Sequence, residues 1–280
     1  MIVKSRAIVL HRFPYSDSSW IVKVLTQECG VVSFIVKGGK RKESPFKGAM
    51  DPLSLCEVVF NQNPQKAGGG DLQFIKEATL LDWHAGLRAD LMNQAVAQVM
   101  TEILLRYAPQ GVPLQDEFEL LEQALRDLNS GEGSNGAATE SRGELQPRRV
   151  PSDEVFARWL LDTCDLWGYH LDLDVCSRCE RPLEEPAADF HPETGGLICK
   201  ACLGVDSARA KPETLLGLWK LRGGTYPNTP ALSLKSAGFA RVFVENALLA
   251  YLRNHIGFLK EIHSLTYLQE IRKLCSVQST

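Results

Sequence analysis

Cys176, Cys179, Cys199 and Cys202 make two Cys-x-x-Cys pairs with nineteen residues between them, the spacing at which a short loop-rich segment folds around one tetrahedral Zn²⁺. Two intervening residues let both thiolates of a pair point inward from one tight turn, leaving Arg178 and Glu180 to face water. Gly195 and Gly196 permit the turn into the second pair. Four unligated thiols are the plain alternative, and near-symmetric pairs inside the usual metal spacing argue against it. His191-Pro192-Glu193 ahead of Cys199-Lys200-Ala201-Cys202 superficially matches a zinc deaminase signature, in which His and two Cys bind the metal and a Glu moves protons. Only five residues separate Glu193 from Cys199, and Ile198 stands where that signature has Pro. Four thiolates also close the shell and leave no position for water or substrate. The expectation is one structural Zn²⁺ per chain.

The elements around this module must come from 280 residues, 44% hydrophobic and 23% charged, enough for a sizeable core and two or more domains. No apolar run approaches the ~18 residues of a membrane span, and Lys4 and Arg6 interrupt the first apolar residues, so no signal-peptide core forms. A reducing, cytoplasmic setting is expected, with Cys29, Cys56, Cys164 and Cys275 as ordinary buried thiols. The net charge of −3 is unevenly spread. Residues 1–48 hold nine cations (Lys4, Arg6, Arg12, Lys23, Lys37, Lys40, Arg41, Lys42, Lys47) against Asp17, Glu28 and Glu43, a balance of +6 that leaves −9 on the rest. Such asymmetry points to a polyanion, since clustered cations gain affinity by releasing counterions from phosphates.

The amino-terminal residues read as short strands at Val3–Arg12, Trp20–Thr26, Val31–Lys37, Leu53–Phe60 and Leu72–Leu80, separated by turn-rich punctuation. Five strands in about eighty residues suit an oligonucleotide-binding (OB) barrel. The segment from Gly38 to Gly48 cannot be regular strand and, with Lys37, carries five of the nine local cations. Its glycines let backbone approach phosphate, and its cations can track a strand of nucleic acid. The candidate contacts are Lys37, Lys40, Arg41, Lys42 and Lys47, with Arg12 from the first strand. Tyr15 and Phe46, in turn-rich segments, are the stacking candidates, whereas Trp20, Phe34, Phe60 and Phe74 read as core.

Beyond Leu80 the period becomes helical: Leu91, Ala95, Val99, Ile103 and Tyr107, then Phe118, Leu121, Leu125 and Leu128. Residues 130–150 are too polar to pack and read as a disordered insertion. A third helix starts with Ser152 as N-cap and ends near Trp167-Gly168, followed by the cysteine module at 170–206. Pro212 opens a short helix through Trp219, and Gly238–Asn254 forms the last long one. The fold class is α+β and multidomain: a five-stranded OB barrel over 1–82, then an α-helical bundle over 83–280 carrying the four-Cys zinc module.

The order of Ala7-Ile8-Val9-Leu10, Pro14-Tyr15-Ser16-Asp17-Ser18-Ser19, Val36-Lys37-Gly38-Gly39-Lys40-Arg41-Lys42, Gly48-Ala49-Met50-Asp51-Pro52-Leu53, Gly168-Tyr169 before the first cysteine pair, His191 to Gly196, and His255-Ile256-Gly257 through Ser264-Leu265 resembles the bacterial RecO family of recombination mediators over nearly the whole chain. The resemblance implies a non-enzymatic protein that binds single- and double-stranded DNA and anneals strands coated with single-stranded-DNA-binding protein. It also implies work with RecR to load the RecA recombinase. On that resemblance Lys37, Lys40 and Arg41, with Lys42 beside them, are the family's DNA-binding cations, and the four cysteines its zinc ligands. The 130–150 insertion and the Gly68–Gly70 loop are longer than the family pattern. Two other classes stand beside this reading. An RNA-binding OB protein shares phosphate contacts and stacking. A zinc enzyme is disfavoured by the closed shell and by the lack of GxxxxGK[ST], HExxH or GxSxG motifs.

Overall fold

The computed structural model describes residues 1–62, 72–130, 150–184, 187–193, 195–204, 210–221, 234–256 and 262–277. The Gly68–Gly70 loop and residues 131–149 of the expected insertion lie outside the described residues.

Five strands form a closed barrel in the order β1-β2-β3-β5-β4: β1 (Ile2–Pro14), β2 (Trp20–Thr26), β3 (Gly30–Val36), β4 (Leu55–Asn61) and β5 (Leu72–Asp82). Closure follows from the length of β1 and from a parallel pair. Strand β1 pairs β4 through its first half (Ile2↔Asn61 to Ile8↔Leu55) and β2 through its second (Ala7↔Thr26 to Pro14↔Trp20), with an irregularity between Val9 and His11 that bends it round the corner. Strands β3 and β5 join in parallel, Ser33↔Leu72 to Ile35↔Phe74. The β-branched inward positions Val9, Val22, Val24, Val36 and Val58 fill the interior around Phe34 and Phe60, whose rings meet edge-on with centroids 5.0 Å apart.

Helices α1 (Ala85–Ala89), α2 (Leu91–Tyr107) and α3 (Gln115–Asn129) follow. The Asp90 side chain caps α2 by accepting from the Met92 and Asn93 N–H groups. All four expected apolar positions of α3 are buried, whereas Leu91, expected to pack, is exposed at the start of α2. Arg6 on β1 lies over the Phe118 ring and pairs with buried Glu122 of α3, which also takes Arg126. A helix with no counterpart in the sequence reading, α7 (His263–Val277), packs on α2. Its amino-terminal end is held by Glu102 of α2, which accepts from the His263 and Ser264 N–H groups and the Ser264 hydroxyl.

The chain divides into two compact units, Met1–Ser152 with Ile262–Thr280, and Asp153–Glu261. Helices α1, α2, α3 and α7 group with the barrel in the first unit, where the Arg6–Glu122 pair also lies.

The second unit contains α4 (Ser152–Leu166, its first residue apart), three short strands β6 (Asp172–Cys176), β7 (Asp189–His191) and β8 (Gly196–Ile198) in the order β6-β8-β7, α5 (Pro212–Leu221) and α6 (Leu234–Ile256). Ser152 is the first helical residue, one position inside the expected cap. Phe156, Trp159, Leu160 and Cys164 of α4 are buried, and helices α5 and α6 pack on each other. Among the described residues no helix is long and apolar enough to cross a membrane.

Candidate nucleic-acid interface and metal centre

Six of the nine cations of residues 1–48 fall into two groups. Lys4 pairs with Glu57 at 2.9 Å, Arg6 with Glu122, and Arg12 with Asp51 at 2.5 Å. Arg41, Lys42 and Lys47 are exposed and make no ion pair among the described residues. The uncompensated charge thus gathers on the connection from β3 to β4, where two carboxylates, Glu43 and the Arg12-paired Asp51, stand among five cations.

That connection is held against the barrel rim. Gly38 takes a left-handed φ of 69°, and a Cβ on Gly39 would stand 2.7 Å from Cδ1 of Trp20, so two glycines let the chain turn and lie on an indole. The Lys40 N–H donates to Ser18 O at 3.1 Å and its ammonium to Ser16 O, tying the loop to the β1–β2 turn. Lys40 and Arg12 both lie over the Trp20 ring, at 4.9 and 4.6 Å from its centroid. The far end is pinned where Leu53 N–H donates to Val9 O at 2.8 Å and the His84 ring Nδ1 meets Leu53 O at 2.7 Å.

Of the sequence-predicted contacts, Lys37, Arg41, Lys42 and Lys47 are exposed, and Tyr15 is 57% exposed in the turn that holds Lys40. Phe46 is half-buried and packs against the barrel core, and Arg12 is committed to Asp51 as well as to Trp20. Two aromatics sit differently from their expected core places. Trp20 is only partly buried, under its two cations. Phe74 is 55% exposed on the outer surface of β5, with the Lys37 ammonium 4.8 Å above its ring. Alternation along β5 puts Phe74 on the same face as Leu72 and Lys76, and the pairing of β5 turns that face outward.

The four module cysteines converge: their sulfurs all lie within 4.8 Å of one another, with Cys179 and Cys199 at 3.9 Å. Four thiolates at about 2.3 Å from one Zn²⁺ stand about 3.8 Å apart, so the donor set and its dimensions fit that ion. Cys176 ends β6 and Cys199 follows β8, so one small sheet brings both pairs together. In the first turn Glu180 adopts φ 59° and its N–H donates to Cys176 O at 2.8 Å. In the second, the Cys202 N–H closes on Cys199 O at 3.1 Å. The Arg178 guanidinium donates to Cys202 O at 2.8 Å and latches the two turns.

Burial works against ionising Cys176, yet backbone N–H groups of Cys199, Cys179 and Arg178 outweigh it and draw the thiol down to about 6. Sharing protons with Cys179 and Cys199 pushes Cys202 up to about 12. Four crowded sulfurs ionise together only around a cation.

Gly195 and Gly196 do what their types suggested, under tighter limits than a turn alone sets. Gly195 has φ 68° and an added Cβ would stand 2.2 Å from the Tyr251 ring; one on Gly196 would meet the Ser177 Cβ at 2.2 Å. His191 is engaged with buried Asp189 at 3.1 Å and stands outside the four-sulfur group, and Glu193 is exposed, so the deaminase-like arrangement does not form. Of the remaining cysteines, Cys56 and Cys164 are buried, which pushes their thiols up to about 12; Cys29 is half-buried and Cys275 exposed, unlike the expectation for them.

Comparison with known proteins adds a lineage to this geometry. Residues 1–83 match the family model described as "Recombination protein O N terminal", and residues 145–264 the one described as "Recombination protein O C terminal". Among curated relatives, a "DNA repair protein RecO" of Geobacter metallireducens is 29% identical, with 92% of this chain and 97% of the relative covered. Proteins with the same description from an Anaeromyxobacter species and a Nocardioides species are each 27% identical, covering 97% and 96% of this chain and 98% and 100% of theirs.

Proposed function

The chain belongs to the RecO family of DNA repair proteins, and from that premise we propose that it is a non-enzymatic mediator of recombinational repair that anneals complementary DNA strands and helps load the recombinase onto protein-coated single strands. The observation that carries this reading is the barrel rim, where Lys37, Lys40, Arg41, Lys42 and Lys47 surround partly exposed rings. Cations there neutralise backbone phosphates and lower the repulsion between two strands brought to one surface. Rings beside them supply stacking for unpaired bases, which holds a strand without reading its sequence.

The metal in this reading is Zn²⁺, held by Cys176, Cys179, Cys199 and Cys202 in a closed shell that contributes folding energy to the second unit and no reaction step. The partners are single- and double-stranded DNA, RecR, the single-stranded-DNA-binding protein and, through them, RecA, in the bacterial cytoplasm. The test is annealing of two complementary strands, each pre-coated with the cognate single-stranded-DNA-binding protein. Acceleration by this chain is expected, with matched RNA oligonucleotides competing poorly. Equal competition by RNA would favour an RNA-binding role, and no acceleration would remove the mediator reading.

A further inference from the structure

The basic loop is one stretch of a longer path. Lys37 lies over Phe74 at 4.8 Å, and three residues on, Lys40 lies over Trp20 at 4.9 Å. Arg12 shares the Trp20 ring and pairs with Asp51 Oδ1, while Oδ2 of the same carboxylate accepts from the Trp83 indole N–H at 3.4 Å. Trp83 in turn lies under Arg88, 4.6 Å from its ring centroid. Trp20 and Trp83 are thus joined through Arg12 and Asp51, Phe74 is tied to the same loop through Lys37, and each ring has at least one cation on it. Phe74 is 55% and Trp83 45% exposed, with Leu80 and Leu81, also exposed, on β5 between them.

We propose that Phe74 and Trp83 are stacking platforms for single-stranded nucleic acid on a path that continues from the basic loop along β5 to Trp83, with Trp20 beneath Lys40 and Arg12 holding those cations in place. The inference rests on the proposed DNA-binding role and extends it to residues outside the loop. Phe74 and Trp83 are nine positions apart, about 30 Å along an extended strand, a length that holds several nucleotides and sits within the about 4–16 that one OB barrel covers. The alternation of ring and cation matches a strand's alternation of base and phosphate. It fits an apolar protein surface poorly, because burying Lys37, Lys40, Arg12 and Arg88 against one would leave four charges desolvated. The Arg88 guanidinium also donates to Trp83 O at 2.6 Å and Pro52 O at 2.5 Å, so the Trp83 end of the path is held in place before any ligand arrives.

The experiment compares wild type, F74A, F74Y, W83A and W83F for affinity toward a single-stranded oligonucleotide and its duplex across a salt series. Each Ala variant should lose about tenfold on single strands, the scale of one lost stacking contact, and less than twofold on duplex, whose bases are already stacked. Because no charge is removed, the slope of log K against log[salt] should stay that of wild type. F74Y and W83F keep a ring and should retain binding, and a melting temperature for each variant separates lost stacking from lost folding. Single-strand affinity within twofold of wild type in both folded Ala variants would overturn the path while leaving the phosphate-binding loop untouched. Equal losses on single strand and duplex would overturn it too, in favour of a role in loop shape or a protein contact. No affinity of the wild type for either polymer would sink the underlying DNA-binding reading instead.

Discussion

Replacing Lys40, Arg41 and Lys42 together with Ala removes three cations of which the structure neutralises none: Arg41 and Lys42 are exposed without an ion pair among the described residues, and Lys40 contacts only a carbonyl and a ring. If each meets one phosphate, the slope of log K against log[salt] on single strands should become shallower by about 2 units, at about 0.7 per contact. Between 50 and 200 mM salt the advantage of wild type over the variant then shrinks by about 20-fold, which fluorescence anisotropy resolves easily. The weakening should be uniform across DNA sequences, since phosphates carry no sequence information. Unfolding free energy should change by less than about 1 kcal/mol, the usual scale for exposed charges. Replacing Arg181, Lys211 and Arg253, all exposed in the second unit, removes the same formal charge. Matching slopes for the two triple variants would refute the reasoning, because net charge and not the loop would then govern binding.

The metal centre predicts one zinc per chain by elemental analysis of protein purified without chelator, and lower stability of the second unit, with the barrel still folded, when Cys176 and Cys199 become Ser. Burial of Glu102 favours its neutral form, but hydrogen bonds from Ser264 and His263 and the charge of Arg106 more than offset this and lower its pKa from 4.5. Its contribution is therefore present above that unfolded value and lost as pH falls through the lower folded one. E102Q should unfold more easily than wild type at pH 7, by about 1 kcal/mol, and the gap should close toward pH 3 in thermal melts. Gly195→Ala, which meets both a left-handed φ and the Tyr251 ring, should cost more than about 1 kcal/mol of stability in the second unit, measurable by chemical denaturation.

The barrel was legible because its strands announce themselves locally: β-branched runs bounded by Gly, Pro and Asp turns, with β2 starting and ending at the expected Trp20 and Thr26. The cysteine cluster was legible for a related reason, since spacing alone constrains four side chains that must meet. What sequence could not reveal depends on long-range partners. Helix α7 is capped from far along the chain: its capping carboxylate, Glu102, lies 161 residues before His263. The grouping of α1, α2 and α3 with the barrel turns on contacts such as Arg6 to Glu122, 116 residues apart. Phe74 illustrates the same limit at one residue: a large ring in a strand defaults to core, and only its register against β3 and β4 turns it to the surface beneath Lys37.

The central claim is that DNA occupies the rim of the barrel, and amide hydrogen exchange of the full chain with and without a single-stranded oligonucleotide tests it most directly. Protection should concentrate in the turn around Tyr15–Ser19, the loop from Lys37 to Lys47 and the start of β5 at Phe74, with the cysteine module at 176–202 unchanged. Protection confined to the module, with the rim exchanging as in the free protein, would contradict the account.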